Sequence, residues 1–294
     1  MDFSGLKLAN LDFRLSVGEF LVQKMKIGKT SLLAQLNDGL LTLNLSELAL
    51  YDGKGKGTVS VDARREQARI TKVFSLTGLQ LQPFLTDAAD FDKLEGTGNF
   101  ELDISTTGIS QKTFVGALNG NGSILFSDGA INGINLAAMA RNVTSAFTGS
   151  GEVQKTDFAE LSGTYTIKNG LLENKDLKLL NPFIQVSGSG QVNIPPKTQN
   201  YRLEPKLTAS AQGQGGSEAA GIVVPLKITG TWNDPKFAPD LAGVISNVAD
   251  PNALKEKIEE AGKEKLQENL KGGLKEGLEG GLKGLGGMLG GKKN

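Results

Sequence analysis

The chain has 294 residues, in which 32 lysines and arginines balance 32 aspartates and glutamates, and it contains neither cysteine nor histidine. The zero net charge disfavours a nucleic-acid partner, because no overall positive field is available to attract phosphate. The missing cysteines exclude disulfides and thiol catalysis, and the missing histidines remove the commonest general base and metal ligand. We therefore expect no catalytic residue, no cofactor and no metal.

Glycine dominates the composition and marks the ends of many short segments. The 39 glycines are about twice the usual share of roughly 7%, and most lie at turns between alternating runs. Residues 1–62 begin this pattern, with apolar side chains at every second position in runs such as Leu41, Leu43 and Leu45. Period-two alternation predicts strands with one apolar face and one wet face.

The stretch from Gly53 to Gly57, Gly-Lys-Gly-Lys-Gly, has two interpretations. Backbone amides in glycine loops can hold phosphate, but this spacing does not match the phosphate-loop motif that ends in Gly-Lys-Ser/Thr. Strands rather than a helix also follow it. We therefore predict a solvated turn.

Residues 83–94 are predicted to form a short helix, because Pro83 suits a helix start and apolar residues recur at three- and four-residue spacing. The segment and its end carry the carboxylates Asp87, Asp90, Asp92 and Glu95. They could form a hydrolase acid and base pair or a calcium site, but the spacing lacks the glycine and terminal glutamate of the standard calcium loop. A solvated helix face is the preferred interpretation, because charged residues are mostly exposed.

Residues 118–139 combine turn and strand signals in one unit. Asp128-Gly129 lies between two short apolar runs, which predicts a two-residue hairpin because such turns need positive φ at both central residues. Asn135 is a favoured N-cap, and the apolar residues after it recur at helical spacing. A hairpin followed by a helix is expected here.

The order and spacing of several short motifs in residues 78–143 resemble the C-terminal region of AsmA family proteins. The matching motifs are Leu79-Gln80-Leu81-Gln82-Pro83, Leu94-Glu95-Gly96-Thr97-Gly98, Leu118-Asn119-Gly120 and Asp128-Gly129-Ala130-Ile131-Asn132-Gly133-Ile134-Asn135-Leu136. Family members usually carry Asp where this chain has Asn135. The later run from Ile228 to Phe237 also resembles the terminal strand of AsmA-like proteins.

This resemblance implies an envelope protein of Gram-negative bacteria that is tethered to the inner membrane and works in the periplasm. It implies a part in outer-membrane assembly and phospholipid traffic, and nothing catalytic. No stretch approaches the roughly 18 apolar residues of a membrane span, and the N-terminus lacks a signal-peptide pattern. If the resemblance holds, we expect the chain to lack the anchor and to be a fragment.

Two stretches, residues 38–61 and 169–194, form an imperfect internal repeat. Each begins with an Asx-Gly pair and paired leucines, continues through a short apolar pair and Gly-x-Gly, and ends in Val-x-Val or Val-x-Ile. Together with Asp128-Gly129, these Asx-Gly pairs favour stacking of like hairpins into one long sheet.

The C-terminal part changes character twice. An apolar run from Ile222 to Trp232 predicts a strand whose internal Pro225 suits a sheet edge or terminus, and Pro239 is predicted to start a short helix. We place a domain boundary between residues 1–249, a β-rich AsmA-like domain, and residues 250–294, a Gly/Lys/Leu-rich segment. That segment is either an amphipathic helix that docks on a membrane or partner, or a flexible tail. The leucines on which the helix hypothesis rests are Leu266, Leu270, Leu274, Leu278, Leu282, Leu285 and Leu289.

The expected fold is mainly β: repeated amphipathic hairpins form a long curved antiparallel sheet, either a groove or an open barrel-like sheet, with a few short helices. The family resemblance, rather than the alternation, implies a groove for lipid acyl chains, with a phospholipid or membrane surface and envelope proteins as partners. Candidate lining residues are Leu41, Leu43, Leu45, Val59, Val61, Phe100, Leu102, Ile104, Ile124, Phe126, Tyr165, Ile167, Val192, Ile194, Val224, Leu226 and Ile228.

Three alternatives stay open at this point. The candidate residues could line an ordinary closed core, since burial of an apolar side chain is worth about 1.5–3 kcal/mol whether protein or lipid covers it. The protein could act without lipid, as a structural or regulatory partner in outer-membrane protein assembly or membrane targeting. An enzyme using Asp87, Asp90 or Glu95 is the least favoured, because the residues of the usual nucleophile and base motifs are missing.

Overall fold

The computed structural model describes residues 2–136, 155–207, 225–232 and 234–240, which all belong to one compact unit, Met1–Leu241. The strands are β1 Leu11–Val17, β2 Phe20–Val22, β3 Met25–Asn37, β4 Leu40–Leu50, β5 Gly53–Asp62, β6 Ala68–Gln80, β7 Leu94–Gly108, β8 Asn119–Asn132, β9 Lys155–Lys168, β10 Leu171–Leu180, β11 Ile184–Asn193, β12 Thr198–Leu207, β13 Leu226–Gly230 and β14 Pro235–Pro239. The helices are α1 Leu81–Ala89, α2 Gln111–Gly116 and a 3-10 turn, Ser4–Lys7.

All fourteen strands form one antiparallel sheet, which confirms the predicted fold class. From β3 to β14 each strand pairs with the next strand in the chain, while β1 and β2 both pair with β3. Within the described ranges, β1 and β14 each have a strand neighbour on one side only, so the sheet is not closed. Register shifts between Leu45 and Leu48, between Leu76 and Leu79 and at other points mark β-bulges, which bend and twist a sheet.

Two of the predicted Asx-Gly hairpins are confirmed. Asp38 and Gly39 have φ values of 45° and 78°, and Asn169 and Gly170 have φ values of 51° and 76°. Positive φ at both central residues is the type I′ geometry, whose twist matches that of paired strands. These turns join β3 to β4 and β9 to β10, so each copy of the predicted internal repeat consists of a turn and the two strands that follow it, β4–β5 and β10–β11.

The predicted hairpin at Asp128-Gly129 is wrong. Asp128 does have positive φ, 50°, but it lies inside β8, which pairs along its whole length with β7 and β9. The register against β7 moves from Thr97 opposite Ser127 to Glu95 opposite Ala130, so the left-handed residue makes a bulge instead of a turn. The two flanking runs pair with the long neighbouring strands β7 and β9 instead of with one another. The local sequence does not show which pairing forms.

The predicted solvated turn at Gly53–Gly57 is also wrong, because these residues begin β5. The turn lies one step earlier, at Tyr51 and Asp52, with φ values of 44° and 65°. Glycine and lysine alternate at the strand period, so Lys54 and Lys56 point away from the face that the glycines share. Both lysines are exposed, as the prediction had them.

The predicted helix at 83–94 exists but is shifted. Helix α1 starts at Leu81 and ends where Asp90 adopts a left-handed conformation with φ 50°. Pro83 lies in the first turn, where a missing N–H leaves no intrahelical bond unmade. Leu94, placed at the helix end by the prediction, begins β7.

Helix α2 and strands β12 and β14 were not predicted from the sequence. Pro239, predicted to start a helix, is instead the last residue of β14. The predicted helix at Asn135 extends into residues outside the described ranges. Leu136, at the start of that predicted helix, is buried. Pro205 is accommodated inside β12 because β13 pairs only with the Tyr201–Leu203 part of that strand.

The hydrophobic core lies on one face of the sheet, at the end that α1 covers. Leu79, Leu81 and Ile184 have no exposed surface, and the core continues through strands β4 to β13. A sheet that curls around one apolar face buries this end well. How far the remaining side chains of that face are exposed to water determines whether it can bind an apolar ligand.

Candidate functional site

Strand register places the candidate lining residues on a single face of the sheet. Leu43 pairs with Val59, Leu102 lies opposite Gly122, and Ile167 lies opposite Gly120. Because side chains alternate between faces, every residue in register with these positions shares their face. The same face continues through Val192, Leu226 and Ile228, whereas Val224 lies outside the described residues.

The apolar face is closed at one end and partly open elsewhere. Phe126, Ile167 and Leu226 are buried, with 6%, 7% and 3% of their surface exposed. All the other described candidates are only half-buried. The face is therefore neither a completed core throughout nor a bare surface, and its middle strands keep apolar side chains in partial contact with water.

Aromatic rings of the apolar face lie over glycines on neighbouring strands. A Cβ atom on Gly57 would stand 2.9 Å from the ring of Phe74 on β6, so the ring occupies the space that a side chain would need. Tyr201 on β12 covers Gly190 on β11 in the same way. Glycine opposite a large ring lets the strands curve while the face stays filled.

Helix α2 covers the end of the apolar face opposite α1. Ser110 caps the helix and accepts a 3.3 Å hydrogen bond from the backbone N–H of Thr113. The side chain of Phe114, a residue of the helix, is buried. Phe3 from the N-terminal segment meets the ring of Phe114 edge to face at 6.0 Å. Sequence reasoning missed this helix, although the Ser110 and Thr113 capping pair was the available signal.

A small hollow of about 240 Å³ lies between α2 and the sheet. Its lining is almost wholly apolar and includes two of the predicted lining residues, Ile104 and Ile194. Residues that the sequence analysis did not single out complete it: Ile70, Lys72, Phe114, Val115 and Leu118 among others. The hollow is large enough for part of an alkyl chain but too small for a folded ligand of drug size.

Lys72 is a cation on the otherwise apolar face. It pairs in register with Val59 on one side and Ile104 on the other, so its side chain shares their face. The residue is exposed and lines the hollow beneath α2. An aliphatic stem along apolar surface with an ammonium group in water is the usual arrangement for such a lysine.

The opposite face of the sheet is polar, and a larger hollow of about 940 Å³ lies across strands β4–β9. One triplet of residues from each strand lines it, such as Glu101-Leu102-Asp103 and Asn121-Gly122-Ser123. The outer two members of nearly every triplet are polar and point away from the apolar face. The neighbouring apolar-face residues Leu43, Val59 and Ile104 do not line it, and we infer that it opens on the polar side.

The three acidic residues of the enzyme alternative each contact a partner of their own in the fold. Asp87 accepts a hydrogen bond from the Tyr51 hydroxyl, and Asp90 pairs with Lys24 at 2.9 Å. Glu95 lies on β7, where it accepts a 2.6 Å hydrogen bond from Asn132 and contacts Lys155 at 3.4 Å. The bond from Asn132, aided by Lys155, lowers the pKa of Glu95, so this carboxyl is held ionised and is not suited to act as an acid.

Among the described residues, no group of three or more carboxylates is arranged to hold a metal ion. In the same part of the chain, no helix has the length and apolarity needed to cross a membrane. The predicted docking helix and its leucines, Leu266 to Leu289, and the domain boundary at 249/250 lie outside the described residues.

Comparison with known proteins connects this sheet to a family. The family model described as AsmA family matches residues 3–177. A search of curated proteins and a search of solved structures each gave no match. The match covers more than half of the chain, from the first residues before β1 into β10. It includes the four motifs between Leu79 and Leu136 that carried the sequence resemblance, whereas the run from Ile228 to Phe237 lies outside it. The chain therefore belongs to the AsmA family.

Proposed function

We propose that this protein is a non-catalytic, periplasmic factor of envelope biogenesis that holds phospholipid acyl chains along the apolar face of its sheet. The observation that carries the proposal is the continuous apolar face of an open sheet, half-buried over its middle strands. Membership of the AsmA family supports the envelope setting. Outer-membrane assembly and lipid homeostasis are the processes that it would serve.

The half-buried apolar side chains are stabilised by any apolar group that covers them. Each methylene group moved out of water contributes about 0.8 kcal/mol, so an acyl chain laid along Leu43, Val59 and Ile104 would gain several such increments. This apolar contact with the acyl chain requires no charged residue on the face. A purely structural face would be expected to complete its packing, as the end near α1 does.

Lys72 supplies a polar end for such a ligand. A phospholipid carries its phosphate at one end of its acyl chains, and an ammonium group beside an apolar hollow would meet both parts together. In this arrangement the acyl chain enters the hollow beneath α2, while the phosphate stays in water near Lys72. The larger hollow is lined mostly by polar side chains, such as Asn44, Glu101 and Asp103.

The partners and location follow from the same proposal. The ligand is phospholipid or the membrane surface, the protein partners are other envelope proteins, and nucleic acid is not involved. In the intact family protein, the sheet would stand in the periplasm with a tether to the inner membrane. The leucines between residues 266 and 289 would add a second contact with membrane or partner.

The test is native mass spectrometry with lipid extraction on the chain expressed in a bacterial periplasm. A matched pair of variants separates the two faces: Val59→Glu on the apolar face and Ser60→Glu, its neighbour on β5, on the polar face. Both positions are half-buried, so both variants report on folding equally. We expect co-purified phospholipid with the wild type and with Ser60→Glu. The amount bound to Val59→Glu should fall by at least about tenfold, because burial of a charge under an acyl chain is energetically unfavourable.

A chain that ends at Asp250 tests the tail separately. Retention of lipid by the shortened chain would support binding on the sheet, whereas its loss would move the membrane contact to residues 251–294. Absence of phospholipid from the wild type and all variants would overturn the lipid proposal. A protein–protein role in outer-membrane assembly would then be the better hypothesis.

A further inference from the structure

Strand β1 is an edge strand with an exposed apolar row. Leu11, Phe13 and Leu15 share the apolar face and have 51%, 48% and 39% of their surface exposed. Their partners on β3 are Leu36, Ala34 and Leu32. Among the described residues no strand pairs with the outer side of β1, so its outward N–H and C=O groups are available to another strand.

The two edges of the sheet differ in how they are protected. Strand β14, at the other edge, begins and ends with Pro235 and Pro239, and proline lacks the N–H that an added strand would need. Strand β1 has seven residues, contains no proline, and keeps one register with β3 from Leu11 to Val17. Natural proteins usually protect a sheet edge with proline, bulges, covering segments or charges. The charges on β1 are Asp12 and Arg14, which are opposite in sign and therefore suit a partner strand that carries the opposite pattern.

The sequence of β1 is complementary to itself in antiparallel orientation. In Leu11-Asp12-Phe13-Arg14-Leu15, a two-fold axis through Phe13 sets Leu11 opposite Leu15 and Asp12 opposite Arg14. The apolar pairs fall on the apolar face and the opposite charges on the polar face. Asp12 accepts a 3.2 Å hydrogen bond from Gln35 on β3, which holds its carboxylate on that polar face.

We propose that a second copy of this chain pairs with β1 across a two-fold axis through Phe13. The contact is isologous, since each Asp12 meets the Arg14 of the other copy and each Leu11 meets its Leu15. Opposite charges and apolar groups directly across an antiparallel pair stabilise it. The apolar faces of the two sheets then run on into one another, with the two Phe13 rings at the centre.

Charge exchange tests the pairing, with sedimentation velocity on the lipid-extracted full chain over a dilution series. We expect a reversible dimer of the wild type. Asp12→Arg sets Arg against Arg twice, and Arg14→Asp sets Asp against Asp twice, so each should weaken the dimer by about tenfold or more. The double variant Asp12→Arg/Arg14→Asp should restore it. Mixing the two single variants should also restore it, as a heterodimer.

The absence of cysteine from the chain permits a direct test of register. Phe13→Cys places two thiols across the two-fold axis, whereas Leu15→Cys places its thiols opposite Leu11 of the other copy. A short thiol cross-linker should join two copies of the Phe13→Cys variant. It should join Leu15→Cys only to Leu11→Cys, when these two variants are mixed. Leu21→Cys on β2 is the control, because Leu21 is 66% exposed but lies beyond the paired segment.

The outcomes separate clearly. A wild type that stays monomeric at every concentration overturns the proposal. A dimer that ignores both charge reversals, or that cross-links through Leu21→Cys as readily as through Phe13→Cys, also overturns it. Circular dichroism checks that each variant keeps its strand content, and the restored double and mixed samples exclude simple loss of folding.

Discussion

The ring of Tyr165 on β9 lies across Gly122 on β8, and its hydroxyl donates a 3.3 Å hydrogen bond to the carbonyl oxygen of Glu101 on the third strand, β7. One side chain thus spans three strands of the apolar face. It can do so only because residue 122 has no side chain. The same relationship between a ring and a glycine recurs at Phe74 and Tyr201, so it is a general device of this face.

Replacing Gly122 with alanine should destabilise the protein. A Cβ atom there would overlap both the Tyr165 ring and the Glu101 carbonyl oxygen, so the backbone of β7 or β8 would have to shift. Overpacking of this kind costs about 1–3 kcal/mol. Urea unfolding should show that loss for Gly122→Ala. Gly116→Ala is the control, since nothing lies within 4 Å of its Cβ position, and equal stability of the two variants would contradict the argument.

Glu95 should contribute to the acid sensitivity of the fold. Its hydrogen bond from Asn132, and secondarily Lys155, lowers its pKa from 4.5, so the folded state holds this carboxylate ionised. The resulting stabilisation is present above the pKa of the unfolded chain and is lost as the pH falls through the lower folded pKa. Urea midpoints measured from neutral to acid pH should fall less steeply for Glu95→Gln than for the wild type.

Asp103→Asn is the matched control for that experiment. Asp103 is an exposed carboxylate on the same strand, β7, and has no hydrogen-bond partner in the described part of the chain. Its replacement should leave the acid dependence close to that of the wild type. An unchanged slope in Glu95→Gln would show that the contacts with Asn132 and Lys155 do not hold the carboxylate in solution.

Strand alternation was the part of the fold that sequence could predict. The apolar and polar faces of β4, β5, β7 and β8 were correct because alternation is a local property. The hairpins at Asp38-Gly39 and Asn169-Gly170 were correct for the same reason. The turn at Asp128-Gly129 failed, since its positive φ was local but the choice between turn and bulge depended on β7 and β9.

The shared face of the candidate lining residues could be predicted from the sequence, whereas their role in lining a lipid groove stays a prediction. Alternation identified side chains that share one face, and the register confirms that they do so, but it could not say which would be buried. Lys72 was missed because a charge within an apolar run looks like a surface residue. The hollow beneath α2 was missed because six residues of helix leave little periodic signal, and its walls come from strands distant in sequence.

The tyrosines should make the protein sensitive to alkali. The chain has three tyrosines, and burial is the main cause that raises the pKa of each, to about 12 for Tyr201. Because folding raises these pKa values, the stabilisation is present below the ordinary value of 10.0 and is lost as the pH rises towards the folded values. Tyrosinate absorbance should therefore appear late, and together with unfolding.

Tyr201→Phe gives the residue-specific form of that prediction. The Tyr201 hydroxyl donates to the side-chain oxygen of buried Asn174, which also accepts a 3.2 Å hydrogen bond from the Leu177 N–H. Asn174 keeps the second bond in the variant, so the loss at neutral pH should be only about 0.5–1.5 kcal/mol. Urea-unfolded protein, in which tyrosines titrate near 10, is the reference. Early ionisation of Tyr201 in the folded wild type would contradict its burial.

Lys72 should set the affinity for the phosphate end of a lipid. On the apolar face between Val59 and Ile104, its ammonium group can meet a phosphate while the acyl chain follows the apolar row. Lys72→Gln keeps the stem but removes the charge, so binding of a fluorescent phospholipid should weaken by about two- to tenfold. Lys56→Gln on β5 removes an exposed lysine from the polar face and should leave binding unchanged. Equal losses in the two variants would indicate general electrostatic attraction to the lipid, and no loss in Lys72→Gln would remove this residue from the site.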